Sequence, residues 1–335
     1  MLFNLESAIG LLSSGPLLIL PHDNPDPDSL AGAMGLARLA QSVGCESVIG
    51  LGGIVGRAEN RAFVRELAIP LVPMASIDPR NFGRIALIDT QPGTGNNSLP
   101  PGRAADIIID HHPPRPESLA APWCDLREEA GVSSAIVLEY LVARGINIDT
   151  RLATAFLYAI KSETRDLGRE ATPPLRRTYV DLLPRADHQT LYAITHPKLP
   201  LSHFAAVDRA IRFAEVRGPL ITVNLGVLAY PDLVAEVADL LLAVEGARWV
   251  LCVGCHDDMV ALSIRTDIDD ARAGEMIRRM IGPRGAGGGH GMSAGGRLFE
   301  PVTDGDRLCV LYRDLAQRLA NELKIEDETL PLLRG

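Results

Sequence analysis

The chain has 335 residues, 47% of them hydrophobic and 22% charged, and a net charge of −9. That length suggests two domains of ordinary size, and the composition is that of a cored globular protein rather than a disordered one. The acidic balance excludes a broad electrostatic footprint for long duplex nucleic acid, while leaving room for a local basic pocket around a short phosphorylated ligand.

No apolar run approaches the roughly 18 residues needed to span a bilayer. The opening "MLFNLESAIGLLSSGPLLIL" carries an acid and no basic start, so it is a poor export signal. A cytoplasmic protein without a membrane partner is expected. Cys45, Cys124, Cys252, Cys255 and Cys309 are scattered and odd in number, the usage of a reducing compartment rather than a disulfide framework.

In chain order, "GPLLIL" reads as a strand and "LAGAMGLARLAQSVG" as a helix that Asp28 or Ser29 would cap. "SVIGL" is a second strand; the following "GLGGIVGR" lacks dinucleotide-binding spacing and reads as a turn. "RIALID" and "ADIIID" are nearly continuous apolar runs that suit strands buried on both faces. "GVSSAIVLEYLVARG" and "IDTRLATAFLYAIKSET" are amphipathic helices. The pattern predicts an α/β fold with a mainly parallel sheet in an N-terminal domain over 1–190. A proline-bearing, less regular stretch places a connection at 191–212, and a smaller α/β domain follows at 213–330. Its strands are "LITVNLGV", "RWVLCVGC" and "MVALSIR"; its helices are "PDLVAEVADLLLAV", "DARAGEMIRRMIG" and the closing "DRLCVLYRDLAQRLANELK". "CVGCH" matches a haem-attachment pattern, but it lies in two strands joined by a His-Asp-Asp turn, so buried strand cysteines are expected.

In open parallel sheets, ligands bind beyond the carboxyl ends of the strands. Three predicted strands end in acid or histidine there: "LILPHDNPDPD", "ALIDT" and "IIIDHH". Pro25 and Pro27 disfavour helical geometry at Asn24 and Asp26. An extended segment would then aim Asp26 and Asp28 into one space, with His22 at the strand end. Taken singly, these residues are a helix cap, a turn former and a surface pair. Jointly they predict a metal site, and carboxylate and imidazole ligands without thiolate suit Mn²⁺ or Mg²⁺.

"GPRGAGGGHGMSAGGR" lacks G-K-[ST] and is not a P-loop. Between Glu275 and Glu300 lie Arg278, Arg279, Arg284 and Arg297 and no acid, and a glycine loop would let backbone N–H groups approach an anion.

Five segments together resemble a known family: "HDNPDPDSLAG" (22–32), "ALIDTQPG" (86–93), "IIIDHHP" (107–113), "YAIKSETRDLG" (158–168) and "GGGHGMSAGG" (287–296). The chain resembles the DHH phosphoesterase superfamily with its DHH-associated C-terminal domain, nearest to the oligoribonuclease (nanoRNase)/pAp-phosphatase-like proteins. The resemblance implies a manganese-dependent phosphoric ester hydrolase with two Mn²⁺ ions, Mg²⁺ or Co²⁺ being possible substitutes. His22, Asp26 and Asp89 would hold one ion; Asp28, Asp89, His111 and Glu163 would hold the other. Asp110 would orient its neighbours, and His112 would face the scissile phosphate. Glu163 stands where the family usually offers aspartate, and Asp166 one turn later is an alternative. Gly288, Gly289 and His290 would form a pocket for the substrate's terminal phosphate or sugar, with Arg265 as a strand-borne partner and Arg284 from the same run. A short oligonucleotide or phosphorylated nucleotide is the implied substrate, and a homodimer is allowed but not required. The alternatives are a DHH hydrolase of polyphosphate or pyrophosphate, and a weakened, nucleotide-binding regulatory protein.

Overall fold

The computed structural model describes residues 5–12, 15–168, 171–269, 271–302 and 304–333. The chain divides into two compact units, Met1–Pro197 and Lys198–Gly335.

The first unit contains α1 (Leu5–Leu12), β1 (Leu17–Pro21), α2 (Pro27–Ser42), β2 (Ser47–Leu51), α3 (Ala58–Glu66), β3 (Leu71–Pro73), β4 (Arg84–Ile88), β5 (Ile107–Asp110) and β6 (Trp123–Leu126). It ends in four helices: α4 (Ser133–Ala143), α5 (Thr150–Glu163), α6 (Pro173–Leu182) and α7 (His188–Thr195). Its six strands form one all-parallel sheet in the order β3-β2-β1-β4-β5-β6. Strand β1 explains why the apolar runs are continuous. Leu17 and Ile19 enter the core beneath α2, α4 and α5, while Leu18 and Leu20 fill a second core on the opposite face. Both faces are covered, so neither parity tolerates a polar residue.

Helix α2 is buried nearly all round, which its small residues permit. A Cβ on Gly35 would stand 2.7 Å from Val137 Cγ1 and 2.8 Å from Phe156 Cζ, so α4 and α5 can approach only because the glycine is bare. The cap of α2 corrects the sequence expectation. Asp26, not Asp28 or Ser29, is the N-cap, and Ser29 completes a reciprocal capping box with it. Asp26, before Pro27, is extended as expected, with φ −101 and ψ 178, but Asn24 turns with φ 57 and Asp28 already lies inside the helix, so the segment is not extended throughout.

The second unit contains α8 (Leu201–Phe213), β7 (Glu215–Arg217), β8 (Leu220–Val227), α9 (Leu233–Leu241), β9 (Trp249–His256), β10 (Met259–Thr266), α10 (Ala273–Ile281), β11 (Gly285–His290), β12 (Ser293–Leu298), α11 (Gly305–Glu322) and β13 (Leu330–Pro331). Its mixed sheet runs β11-β12-β10-β9-β8-β7-β13, with α10 and α11 packing into one core and α8 and α9 into another. The stretch 191–212, expected as an irregular connection, is mostly helical: it takes in the end of α7 and nearly all of α8, whose Ala206 and Ala210 are buried. The division between the units falls within it, beside Pro197 and Pro200.

Cys252 and Cys255 point to opposite faces of β9, into separate cores, so the C-x-x-C pair cannot present two thiols to one ligand. The glycine-rich run is a β-hairpin rather than a loop. It pairs through β12 onto β10, and its glycines admit α10: a Cβ on Gly274 would lie 1.9 Å from the Gly289 carbonyl oxygen.

Candidate metal centre

The strand order reverses between β1 and β4, and the side chains singled out in the sequence gather just beyond that point. His22 follows β1, Asp89 follows β4, and Asp110, His111 and His112 end and follow β5. His22 Nδ1 donates to the Asp23 carbonyl at 2.9 Å, which turns Nε2 toward Asp26 Oδ1 at 3.5 Å and Asp89 Oδ2 at 3.7 Å. On the other side of Asp89, Oδ1 lies 3.4 Å from His111 Nε2 and 3.6 Å from His112 Nδ1. Asp89 is therefore the shared member of two three-residue groups, one with His22 and Asp26 and one with His111 and His112. It takes this place with φ 59, a left-handed conformation that costs a non-glycine residue energy and recurs at functional sites.

Asp28 is also buried. Its two oxygens accept from the main-chain N–H groups of Ser133 at 2.7 Å and Ser134 at 2.9 Å, the first turn of α4. The Ser133 hydroxyl donates to Asp89 Oδ1 at 2.8 Å and accepts from the His111 N–H at 3.2 Å. Glu163, half-buried at the end of α5, is close enough that its charge acts on Asp28. Asp166 is exposed and paired with Lys161.

The electrostatics follow from this crowding. Burial, then the charge of Asp26, pushes Asp28 up to about 7, with Glu163 adding to the rise and the Ser134 hydrogen bonds opposing it. Burial, then Asp28, Asp26 and Asp110, raises Asp89 well above the carboxylate range. Burial alone would lower His22, but the charge and hydrogen bond of Asp26 carry it up to about 9. Burial likewise opposes ionisation of Asp110, yet the hydrogen bond and charge of His112, followed by Gln91, hold it below its usual value. No lysine or arginine pairs with Asp26, Asp28, Asp89 or Asp110 among the described residues. Buried carboxylates without a lysine or arginine partner, joined by imidazole nitrogens and no thiolate, fit hard divalent cations such as Mg²⁺ or Mn²⁺.

In the second unit, strand register aligns Arg265 with Ser293, and Ser263 with Gly295 and Gly288. A Cβ on Gly288 or Gly295 would meet nothing within 4 Å, so this face of the hairpin is bare backbone. Arg265 is 8% exposed; its Nε donates to Asp239 at 2.8 Å and its Nη1 to the Ser263 hydroxyl at 2.8 Å. Two expected partners are not brought to that face. Gly289 backs onto Gly274 of α10, and Arg284 bonds Asp314 of α11 at 2.9 Å and the Met280 carbonyl at 3.2 Å. His290 pairs through its backbone with Ser293, and its side chain lies outside the described residues.

Sequence reasoning missed Ser133 and Gln91, which hold the cluster by hydrogen bonds and carry no spacing signal of their own; Arg297 and Ser293, in register beside the bare glycines, follow from strand alternation once the hairpin is seen.

No family model matches the chain. An uncharacterized protein of Methanocaldococcus jannaschii is 32% identical over 322 residues, covering 93% of this chain, and the chain spans 65% of that relative's length. An exopolyphosphatase-related protein from Bacteroides fragilis has a similar structure, with TM-score 0.73 and 14% identity over 96% of this chain and 97% of its own. That likeness shows a shared fold across both units.

Proposed function

We propose that this chain is a metal-dependent phosphoesterase of the DHH type, acting on short oligonucleotides or phosphorylated nucleotides. The observation that carries the reading is Asp89: one buried carboxylate shared between His22 and Asp26 on one side and His111 and His112 on the other. In the proposed arrangement His22, Asp26 and Asp89 hold one ion, and Asp28, Asp89, His111 and Glu163 hold a second. Bound there, divalent cations would lower the pKa of an attacking water and offset charge on the phosphoryl oxygens.

The protein's own groups do the rest. Ser133 fixes Asp89 and the His111 backbone, and the first turn of α4 fixes both oxygens of Asp28 by main-chain N–H groups. Asp110 accepts from His112 Nδ1 at 2.8 Å, so that in the doubly protonated ring Nε2 would carry the proton that meets the phosphate or passes to the leaving oxygen. In the second unit, the bare face at Gly288 and Gly295 would receive the substrate's terminal phosphate or sugar, with Arg265 and Arg297 in neighbouring register.

The test is a substrate panel with Mn²⁺: pAp, pApA, a two-to-five-nucleotide RNA and linear polyphosphate. Hydrolysis of the nucleotides is expected. Phosphate release from polyphosphate alone would move the substrate class, and no release from any of them would sink the reading.

A further inference from the structure

Gln91 lies two residues beyond Asp89 and is 1% exposed. Its carboxamide nitrogen donates to Asp110 Oδ2 at 2.7 Å and sits 3.4 Å and 3.2 Å from the carbonyl oxygens of His112 and Pro113. Its carboxamide oxygen accepts from the Arg115 N–H at 2.8 Å and the Ser118 hydroxyl at 2.8 Å. The second oxygen of Asp110 accepts from the main-chain N–H of His112 at 3.2 Å and from His112 Nδ1 at 2.8 Å. Both Asp110 oxygens already accept N–H bonds, so the hydrogen of this contact resides on Nδ1 and the neutral ring carries its lone pair on Nε2.

We propose that Gln91 is the positioning residue for His112, fixing through Asp110 the tautomer and orientation of the imidazole that faces the substrate. Among the described residues Gln91 is the one side-chain donor to Asp110 Oδ2, in a place nearly closed to water. A leucine at 91 keeps the volume and removes the donor, freeing Asp110 to rotate toward another partner. A glutamate keeps the acceptor for Arg115 and Ser118 but sets oxygen against oxygen at Asp110. The same carboxamide also anchors the 112–118 segment, so His112 is held through its ring and through its backbone.

The consequence for rate rests on the phosphoesterase reading; the tautomer does not. The experiment therefore has two arms, both on the full chain. In the metal-free protein, at a pH where the ring is neutral, long-range ¹H–¹⁵N correlation should find His112 protonated on Nδ1. Gln91→Leu and Gln91→Glu should each give a mixture of tautomers. With Mn²⁺ and pApA, both variants should lose about 10–100-fold in kcat with KM unchanged, and Gln91→Leu should add less than about 2-fold in a His112→Ala background. If Gln91→Leu fails to fold, the isosteric Gln91→Glu decides. An unchanged tautomer, or an equal loss with and without His112, overturns the proposal. Absence of hydrolysis by the native protein overturns the phosphoesterase reading instead, and the tautomer arm still settles the role of Gln91.

Discussion

Asp28 and Ser133 meet across 105 residues of sequence: the Ser133 N–H donates to Asp28 Oδ2 at 2.7 Å while the Ser133 hydroxyl reaches Asp89. One serine thereby ties two buried carboxylates to the start of α4. The neighbouring Ser134 uses its N–H in the same way, and its hydroxyl, which forms no well-aligned hydrogen bond, still helps hold the Asp28 charge.

The two serines should respond differently to truncation. Ser133→Ala removes a donor from Asp89 and an acceptor from the His111 N–H, which should cost about 1–3 kcal/mol of folding stability. Ser134→Ala removes only a weak influence on Asp28 and no well-aligned bond, and should cost less, about 0.5 kcal/mol. Urea denaturation of both metal-free variants measures the difference, and equal losses would contradict the assignment.

Metal-free stability should fall as pH rises. Asp28 is raised from 3.8 to about 7 in the fold, and Asp89 moves the same way, so the folded state binds their protons more tightly than the unfolded state. Their contribution is fully present below the unfolded value and lost as pH climbs through the folded one. His22, raised from 6.5 to about 9, loses its contribution over a higher window in the same direction. Asp26, depressed, works oppositely and only at low pH. Melting in EDTA should therefore drop between about pH 4 and pH 9, and the gain on adding Mn²⁺ should grow over that range. A flat or rising metal-free curve would refute this.

Glu163 should matter for one ion only. Glu163→Gln is expected to weaken the second, lower-affinity binding event about 10–100-fold while leaving the first intact. Calorimetric titration with Mn²⁺ resolves the two, and a loss of both would mean that Glu163 supports the whole cluster.

In the second unit, Gly274→Ala would drive a methyl group into the Gly289 carbonyl and should cost about 1–3 kcal/mol or more. Gly295→Ala meets open space and should leave stability near native. Thermal melts of the two variants test whether α10 and the hairpin pack as described.

Much of this was legible in the sequence where burial is two-sided. The apolar runs of β1, β4 and β5 announce themselves because neither face can be polar, and their terminal His22, Asp89 and Asp110 then mark the carboxyl edge. The hairpin of β11 and β12 was hidden because glycine has low strand propensity; its pairing is imposed by β10 and by the close approach of α10. The capping role falls to Asp26 instead of Asp28 because the helix starts three residues earlier than the pattern suggests, at Pro27, a residue favoured in the first turn. Ser133 and Gln91 escaped because a residue that positions others by hydrogen bonds leaves no periodic trace.

The central claim is that Asp89 is shared by two cation sites. Equilibrium binding of Mn²⁺ to the native chain and to Asp89→Ala, with circular dichroism to establish that the variant is folded, tests it directly. The account predicts about two ions per native chain and no tight binding to the folded variant. A native chain that takes up no Mn²⁺, or a variant that binds as the native chain does, would contradict it.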